Sequence, residues 1–234
     1  MEFVDFSLVV VYNCRKKEVR PLSCRLLFIR HGQSLGNQNG VFLGHTDLDL
    51  SSLGYSQAEA VGEYLKTQGI DAIFSSDLIR AHNTALPLSE ALNIKITDNK
   101  NFREIFAGDW ENKRFDYLIE NYPVTYTVWR NDIGNAVPDS GEAVSELYER
   151  IVREAKKIAL ENDGRTVAIF THATPIRALF TYIYGKSAEG MCELQWAPNA
   201  SVSEAVYENG CFNPIGYGFN EHLGDMKTVL PPSV

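Results

Sequence analysis

The sequence has no paired cysteines of the kind a metal or redox motif would need. Its four cysteines, Cys14, Cys24, Cys192 and Cys211, are scattered. None forms a Cys-x-x-Cys pair, and no His/Cys spacing matches a zinc site. In a chain of 234 residues that pattern reads as reduced, structural thiols of a cytosolic protein. Long apolar runs are missing too. The longest near the N-terminus, FSLVVVY, falls short of the ~20 apolar residues of a membrane-crossing helix. Glu2 and Asp5 stand where a signal peptide would carry positive charge. Positive charge is in deficit overall. The 22 Lys and Arg against 30 Asp and Glu leave a net charge of -8, which disfavours a broad nucleic-acid or anionic-membrane surface. A small basic pocket is still allowed, because an anionic ligand needs only a few local cations. There is no internal repeat and no low-complexity tract. The expected setting is cytoplasmic, with no nucleic-acid and no membrane partner.

What is present is an ordinary globular composition, 44% hydrophobic and 22% charged, in a length suited to one substantial domain. Residues 1–24 read as an N-terminal extension, residues 25–225 as the domain and residues 226–234 as a tail. From Arg25 the pattern is regular. RLLFI, DAIFSS and RTVAIF read as short buried strands. SSLGYSQAEAVGEYLKTQG reads as a helix capped near Ser51 or Ser52 and stopped by Gly69. A second helix begins near Leu78, with Ser76 or Asp77 as its cap. A third places Val144, Leu147, Ile151, Ala155 and Ile158 on one face. A fourth starts in THATPIRALF, with Thr174 as cap and Pro175 at the first helical position. ASVSEAVYENGCFNPIGYG reads as two strands around an Asn209-Gly210 turn. Alternating strands and helices predict an α/β fold with a mostly parallel sheet covered on both faces.

Ligands of such sheets sit beyond the carboxyl ends of the strands. Here those ends read FI-RHG, IFSS-DLIR and IF-THATP, so each delivers polar or cationic groups to one edge. Arg30, His31, Arg80, His172 and Asn37 would gather there beside helix N-termini, which favour anions. Arginine forks suit phosphate oxygens, so a phosphate group is the simplest ligand.

LFIRHGQSLGN resembles the signature of the histidine phosphatase superfamily, the phosphoglycerate mutase-like family. Four further segments, LGHTDLDLSSLGYSQAEAVGEYL, IFSSDLIRAHNTA, NFREIFAGDWE and TVAIFTHATPIRAL, resemble that family's motifs in order, and WAPNASVSEAVYENG resembles its C-terminal strands. The resemblance covers residues 25–225 and implies a three-layer α/β/α sandwich. By it, His31 is the nucleophile that accepts the phosphoryl group. Arg30, Arg80 and His172 hold the phosphoryl oxygens, and Glu104 is the acid and base of the two steps, with Asp109 and Glu111 of the same segment as alternatives for that role and a surface carboxylate as the other reading of Glu104. Asn37 hydrogen-bonds the phosphate or His31, or else shapes the turn. Gly44 and His45 are expected on the substrate-binding rim, while His82 and His222 are read as structural. No metal and no cofactor are implied. The sequence departs from the family pattern at Ala173 and Asn112, where Gly is usual, and at Ala143, where Ser is frequent.

The 67 residues between Glu104 and His172 resemble the shorter connection of the phosphatase branch. Residues 105–140 form a cap segment rich in aromatics, with Trp110, Phe115, Tyr117, Tyr122, Tyr126 and Trp129. An amphipathic helix there would pack one face on the sheet and offer the other to the organic part of a phosphomonoester. The expected partner is a small phosphorylated substrate, and a homodimer is compatible with the sequence. A cofactor-dependent phosphoglycerate mutase is the alternative activity, with Lys113 and Arg114 as candidates for binding a substrate carboxylate. A phosphate-binding module without catalysis is the second alternative.

Overall fold

The computed structural model describes residues 23–229. The reading of residues 1–22 as an extension therefore lies outside the described residues, as does Cys14. The first strand already includes the last two residues assigned to that extension. β1 (Ser23–Arg30) pairs in parallel with β4 (Thr166–Thr171), which pairs with β2 (Ala72–Ser75), which pairs with β3 (Ile96–Asp98). On its other side β1 meets β5 (Val202–Glu208) antiparallel, and β5 meets β6 (Cys211–Phe219) antiparallel. The six-stranded order is β3-β2-β4-β1-β5-β6. The short β3 escapes sequence reading because IKITDNK alternates too briefly to stand out from a loop.

Strand alternation divides the core into two layers. Leu26 and Phe28 face one side with Val167 and Ile169. They pack against α6 (Val144–Glu161) and α7 (Ala173–Ile183). Leu27 and Ile29 face the other side with Ala168 and Phe170, against α2 (Ser52–Leu65) and α3 (Ile79–Leu92). The α6 face expected from periodicity is buried at all five predicted positions. The result is the expected three-layer α/β/α sandwich, and its four parallel strands all open toward the same edge. Asn209 and Gly210 both have positive φ (53° and 85°), the geometry of the tight hairpin turn between β5 and β6.

The helix starts differ in part from expectation. Ser51 caps α2 through its hydroxyl and the Gly54 N–H. α7 begins two residues earlier than predicted, with His172 in the cap position and Thr174 and Pro175 inside the first turn. α3 begins at Ile79, and its first N–H is satisfied from outside by the Asp47 carboxylate at 2.8 Å rather than by Ser76 or Asp77. Asp77 instead makes a two-pronged pair with Arg103. The cap segment contains two short helices, α4 (Phe115–Asn121) and α5 (Pro123–Asn131). Pro123 divides them, because the residue before proline is pushed out of helical geometry, as Tyr122 is (φ -127°, ψ 46°). Among the described residues no helix is long and apolar enough to cross a membrane. Cys24 is buried in the core, whereas Cys192 and Cys211 are exposed, and all three are free thiols.

Candidate active site

β1 carries Arg30 and His31 out of the core at the sheet's open edge. Both are held by the loop that enters β5. The Arg30 N–H donates to the Ser201 carbonyl at 3.1 Å, and the Ala200 N–H donates to the His31 carbonyl at 3.2 Å. The Asn199 amide donates to that same carbonyl and to Asn37 Oδ1, each at 3.1 Å. On the far side Gly32 and Gly54 are in such close contact that a Cβ on Gly54 would lie 2.0 Å from the Gln33 carbonyl oxygen. The turn after β1 is thus clamped between β5 and α2.

The His31 ring is buried, and its Nδ1 donates to the Gly32 carbonyl at 2.6 Å. A carbonyl can only accept, so Nδ1 carries the proton and Nε2 keeps its lone pair. Burial, then Arg80 and Arg30, holds the imidazole pKa well below its ordinary value, which keeps the ring neutral. His172 lies 5.1 Å away, centroid to centroid. Its Nε2 is 2.9 Å from the Ser76 hydroxyl, which also accepts the Leu78 N–H. Burial, followed by Arg80, drives His172 to the neutral form too. If the Ser76 hydroxyl donates to Nε2, the proton sits on Nδ1, which has no partner among the described residues.

Arg30 and Arg80 are buried cations anchored at their fork ends. Arg30 Nη1 donates to the Ala197 carbonyl at 2.7 Å. Arg80 donates to the carbonyls of Gly44 (2.8 Å) and Thr46 (3.0 Å). The Nε–H of each arginine has no partner among the described residues. Burial pulls both guanidinium pKa values down to about 10, so both remain charged near neutrality. Glu104 is also buried. Its carboxylate accepts from the N–H groups of Ile105 (2.9 Å) and Thr174 (3.3 Å), yet burial raises its pKa above the ordinary value. Arg30, His31, Asn37 and Glu104 line one cavity of about 100 Å³. Arg80 and His172 are enclosed beside it. The opposite wall is apolar, with Phe42, Phe115, Trp129 and Trp196 among its members.

Two predicted rim residues stand elsewhere. The Gly44 N–H donates to Glu111 and its carbonyl holds Arg80. His45 turns its ring outward beside Phe106, with Nε2 donating to the Glu104 carbonyl at 3.0 Å. Neither lines the main cavity, because the carboxylate of Glu111 gathers this loop from behind. It accepts from the N–H groups of Gly44, His45, Thr46 and Ala107 and from the Thr46 hydroxyl. Asn37 does shape the turn, since its Oδ1 accepts the Ser34 N–H at 3.2 Å while Ser34 caps the short helix α1 (Leu35–Asn39). His82 pairs with Asp98 on the surface, and His222 stacks on Tyr64.

Sequence reasoning missed Ser76, Asn199, Glu111 and Trp196 as contributors. Ser76 and Asn199 lie in the quoted motifs IFSSD and WAPNAS, so their polar side chains at strand ends were a usable signal. Among the described residues there is no cluster of three or more His, Cys, Asp or Glu side chains able to hold a metal.

An α/β sheet that ends in two buried arginines around a tautomer-locked histidine, with a buried carboxyl nearby, defines a class of phosphoryl-handling proteins. The sequence comparisons agree with that class. Residues 26–218 match the model of the histidine phosphatase superfamily, branch 1, and the chain belongs to that family. It is 30% identical over 169 residues to the adenosylcobalamin/alpha-ribazole phosphatase of Escherichia coli (strain K12), covering 71% of this chain and 82% of that one. It is 29% identical over 161 residues to phosphoserine phosphatase 1 of Hydrogenobacter thermophilus, covering 69% and 76%. Among solved structures, mycobacterial glucosyl-3-phosphoglycerate phosphatase superposes with a TM-score of 0.78 at 25% identity, covering 85% of this chain and all of that one.

Proposed function

We propose that the protein is a metal-independent phosphomonoester hydrolase that turns over through a phosphohistidine at His31. The observation that carries this reading is the Nδ1–H bond from His31 to the Gly32 carbonyl, which fixes a neutral imidazole with Nε2 available for attack. In the first step the Nε2 lone pair forms a bond to phosphorus while the bond from phosphorus to the ester oxygen breaks. Glu104, whose pKa burial raises, gives its proton to the departing alkoxide. In the second step the Glu104 carboxylate removes a proton from water as the water oxygen attacks phosphorus. The P–N bond breaks, orthophosphate leaves, and both residues return to their starting states. Arg30 and Arg80, with Nε–H groups that no acceptor among the described residues occupies, would meet the equatorial oxygens as charge spreads over them. His172 adds a neutral donor at Nδ1. The guanidinium charges do the work a metal would otherwise do.

The relatives are named as phosphatases of phosphoserine, of adenosylcobalamin/alpha-ribazole and of glucosyl-3-phosphoglycerate, and a small phosphomonoester is the substrate proposed here. The mutase alternative is less well supported. Lys113 lies over the Tyr117 ring and Arg114 pairs with Asp116, and neither lines the cavity. The non-catalytic alternative has to leave His31, Glu104 and both arginines in place without using them. The test is phosphate release from small phosphomonoesters by the full chain in excess chelator, together with brief labelling by radioactive substrate and acid quench. An acid-labile, base-stable phosphoprotein that His31→Ala abolishes along with turnover is expected. Full activity in His31→Ala, or activity lost to chelator alone, would overturn the reading.

A further inference from the structure

We infer that the substrate is a phosphomonoester whose organic part is uncharged and apolar, with an aromatic ring as the best-fitting body, rather than an ester carrying a second anionic group. The inference rests on the phosphatase reading above and specifies what that same cavity takes. Beyond the phosphate end, beside the uncharged polar Gln33, Ser34 and Thr228, the apolar part of the described lining includes Val41, Phe42, Leu43, Phe115, Trp129 and Trp196. Their rings are arranged as a continuous surface. Phe42 meets Trp129 edge-on at 5.0 Å and Phe115 at 6.2 Å, and Trp129 stacks on Trp196 at 6.1 Å with 25° between planes. An organic group lying against this surface leaves water and gains edge and face contacts.

The charges of the cavity point the same way. Among the described lining residues Arg30 is the one permanent cation, and it stands at the phosphate end. The remaining ionisable groups on the lining are His31 and Glu104. Cations elsewhere in the neighbourhood are already engaged. Arg177 lies against the Trp196 ring at 4.3 Å, donates Nε to the Met191 carbonyl at 2.9 Å, and is not itself among the described lining residues. Arg150 is committed to Glu142 and to the carbonyls of Asn101, Arg103 and Glu104. A carboxylate or second phosphate against this wall would lose its water with no cation in return, which disfavours it strongly.

The experiment compares kcat/KM of the full chain for four esters that leave as unactivated alkoxides: 2-phenylethyl phosphate, glycerol 1-phosphate, O-phosphoserine and 3-phosphoglycerate. The expected result is a preference of at least about tenfold for 2-phenylethyl phosphate over each carboxylate-bearing ester. Phe115→Ala is expected to lower the 2-phenylethyl to glycerol ratio at least fivefold, and Phe115→Arg to move selectivity toward 3-phosphoglycerate. Trp196→Ala provides the same readout should a Phe115 variant fail to fold. Equal or greater kcat/KM for O-phosphoserine or 3-phosphoglycerate overturns this inference and leaves the phosphatase reading standing. Release from none of the four esters removes the phosphatase reading and this inference with it.

Discussion

Glu111 never touches the cavity, yet its replacement by glutamine is expected to damage both stability and turnover. Its Oε1 accepts from the N–H groups of His45 (2.6 Å) and Ala107 (3.1 Å), and its Oε2 from Gly44 (3.1 Å), Thr46 (3.0 Å) and the Thr46 hydroxyl (2.7 Å). Glutamine keeps one acceptor oxygen but turns an amide NH2 toward two backbone donors. Hydrogen bonds to a charged group contribute about 1.5–3 kcal/mol each. Water can reach this half-buried site, so a net loss of about 2–4 kcal/mol is expected, or about 5–15 °C in Tm for a domain of this size. The loop so released supplies the Gly44 and Thr46 carbonyls that anchor Arg80. Misplacing such a group by an ångström costs about 100-fold, so a tenfold or larger fall in kcat is expected. Calorimetry and steady-state phosphate release on Glu111→Gln would measure both, with Thr46→Val as the variant that loses the hydroxyl bond alone. A Tm within about 2 °C of the parent, with kcat unchanged, would refute the reasoning. The pH dependence has a definite sign. Burial pushes the Glu111 carboxyl up, but the bonds from Thr46, His45 and Ala107 outweigh it, and its pKa is held below the ordinary value. Its stabilisation is therefore complete above the ordinary glutamate pKa and is lost as pH falls through the lowered one.

Three further outcomes are expected. The proposed mechanism requires neutral His31, whose pKa is lowered, and protonated Glu104, whose pKa is raised. kcat/KM should thus be highest on the acid side of neutrality and fall as pH rises through the Glu104 pKa. Glu104→Gln should flatten that alkaline limb and cost at least about 100-fold with alkyl phosphates but much less with 4-nitrophenyl phosphate, whose leaving group needs no proton. An equal loss on both substrates would remove Glu104 from the acid role. Gly54→Ala puts a methyl 2.0 Å from the Gln33 carbonyl oxygen and should cost about 1–3 kcal/mol in urea unfolding while displacing the His31 turn. Asn112 sits at φ 57°, where the family pattern has Gly, so Asn112→Ala should cost about 1 kcal/mol and Asn112→Gly should cost nothing measurable by the same method.

The strands and the residues at their ends were legible because a buried strand must stop being apolar where it meets a ligand, and LLFI-RH states that change in consecutive letters. Arg30, His31, Asn37 and Glu104 come together on the cavity, with Arg80 and His172 enclosed beside them. What stayed hidden depends on which side of a loop a side chain leaves from. Gly44 and His45 follow the motif in sequence, but Glu111 pulls their loop backward, and no local pattern reveals a carboxylate 65 to 67 residues away. The cap of α3 was misread for the same reason, since Asp47 reaches in from a distant loop. Ala143 has no hydroxyl to accept the Glu146 N–H, which goes to the Ala143 carbonyl at 3.0 Å, while the Glu146 carboxylate accepts the Ala143 N–H. The aromatic wall was half legible. Phe115 and Trp129 lie in the segment rich in rings, whereas Phe42 and Trp196 come from loops with ordinary composition.

The dependence of Arg30 and His31 on the loop before β5 has a consequence for synthesis. The Ala197 carbonyl that anchors the Arg30 fork and the Asn199 amide that holds the His31 carbonyl lie 167 and 168 residues further along the chain. A ribosome delivers the proposed nucleophile early and its supports late. While residues beyond Asn199 are still in the exit tunnel, β1 lacks its antiparallel neighbour and the Arg30 head has no anchor. The surroundings of His31 are therefore expected to be complete only after long-range pairing closes the sheet.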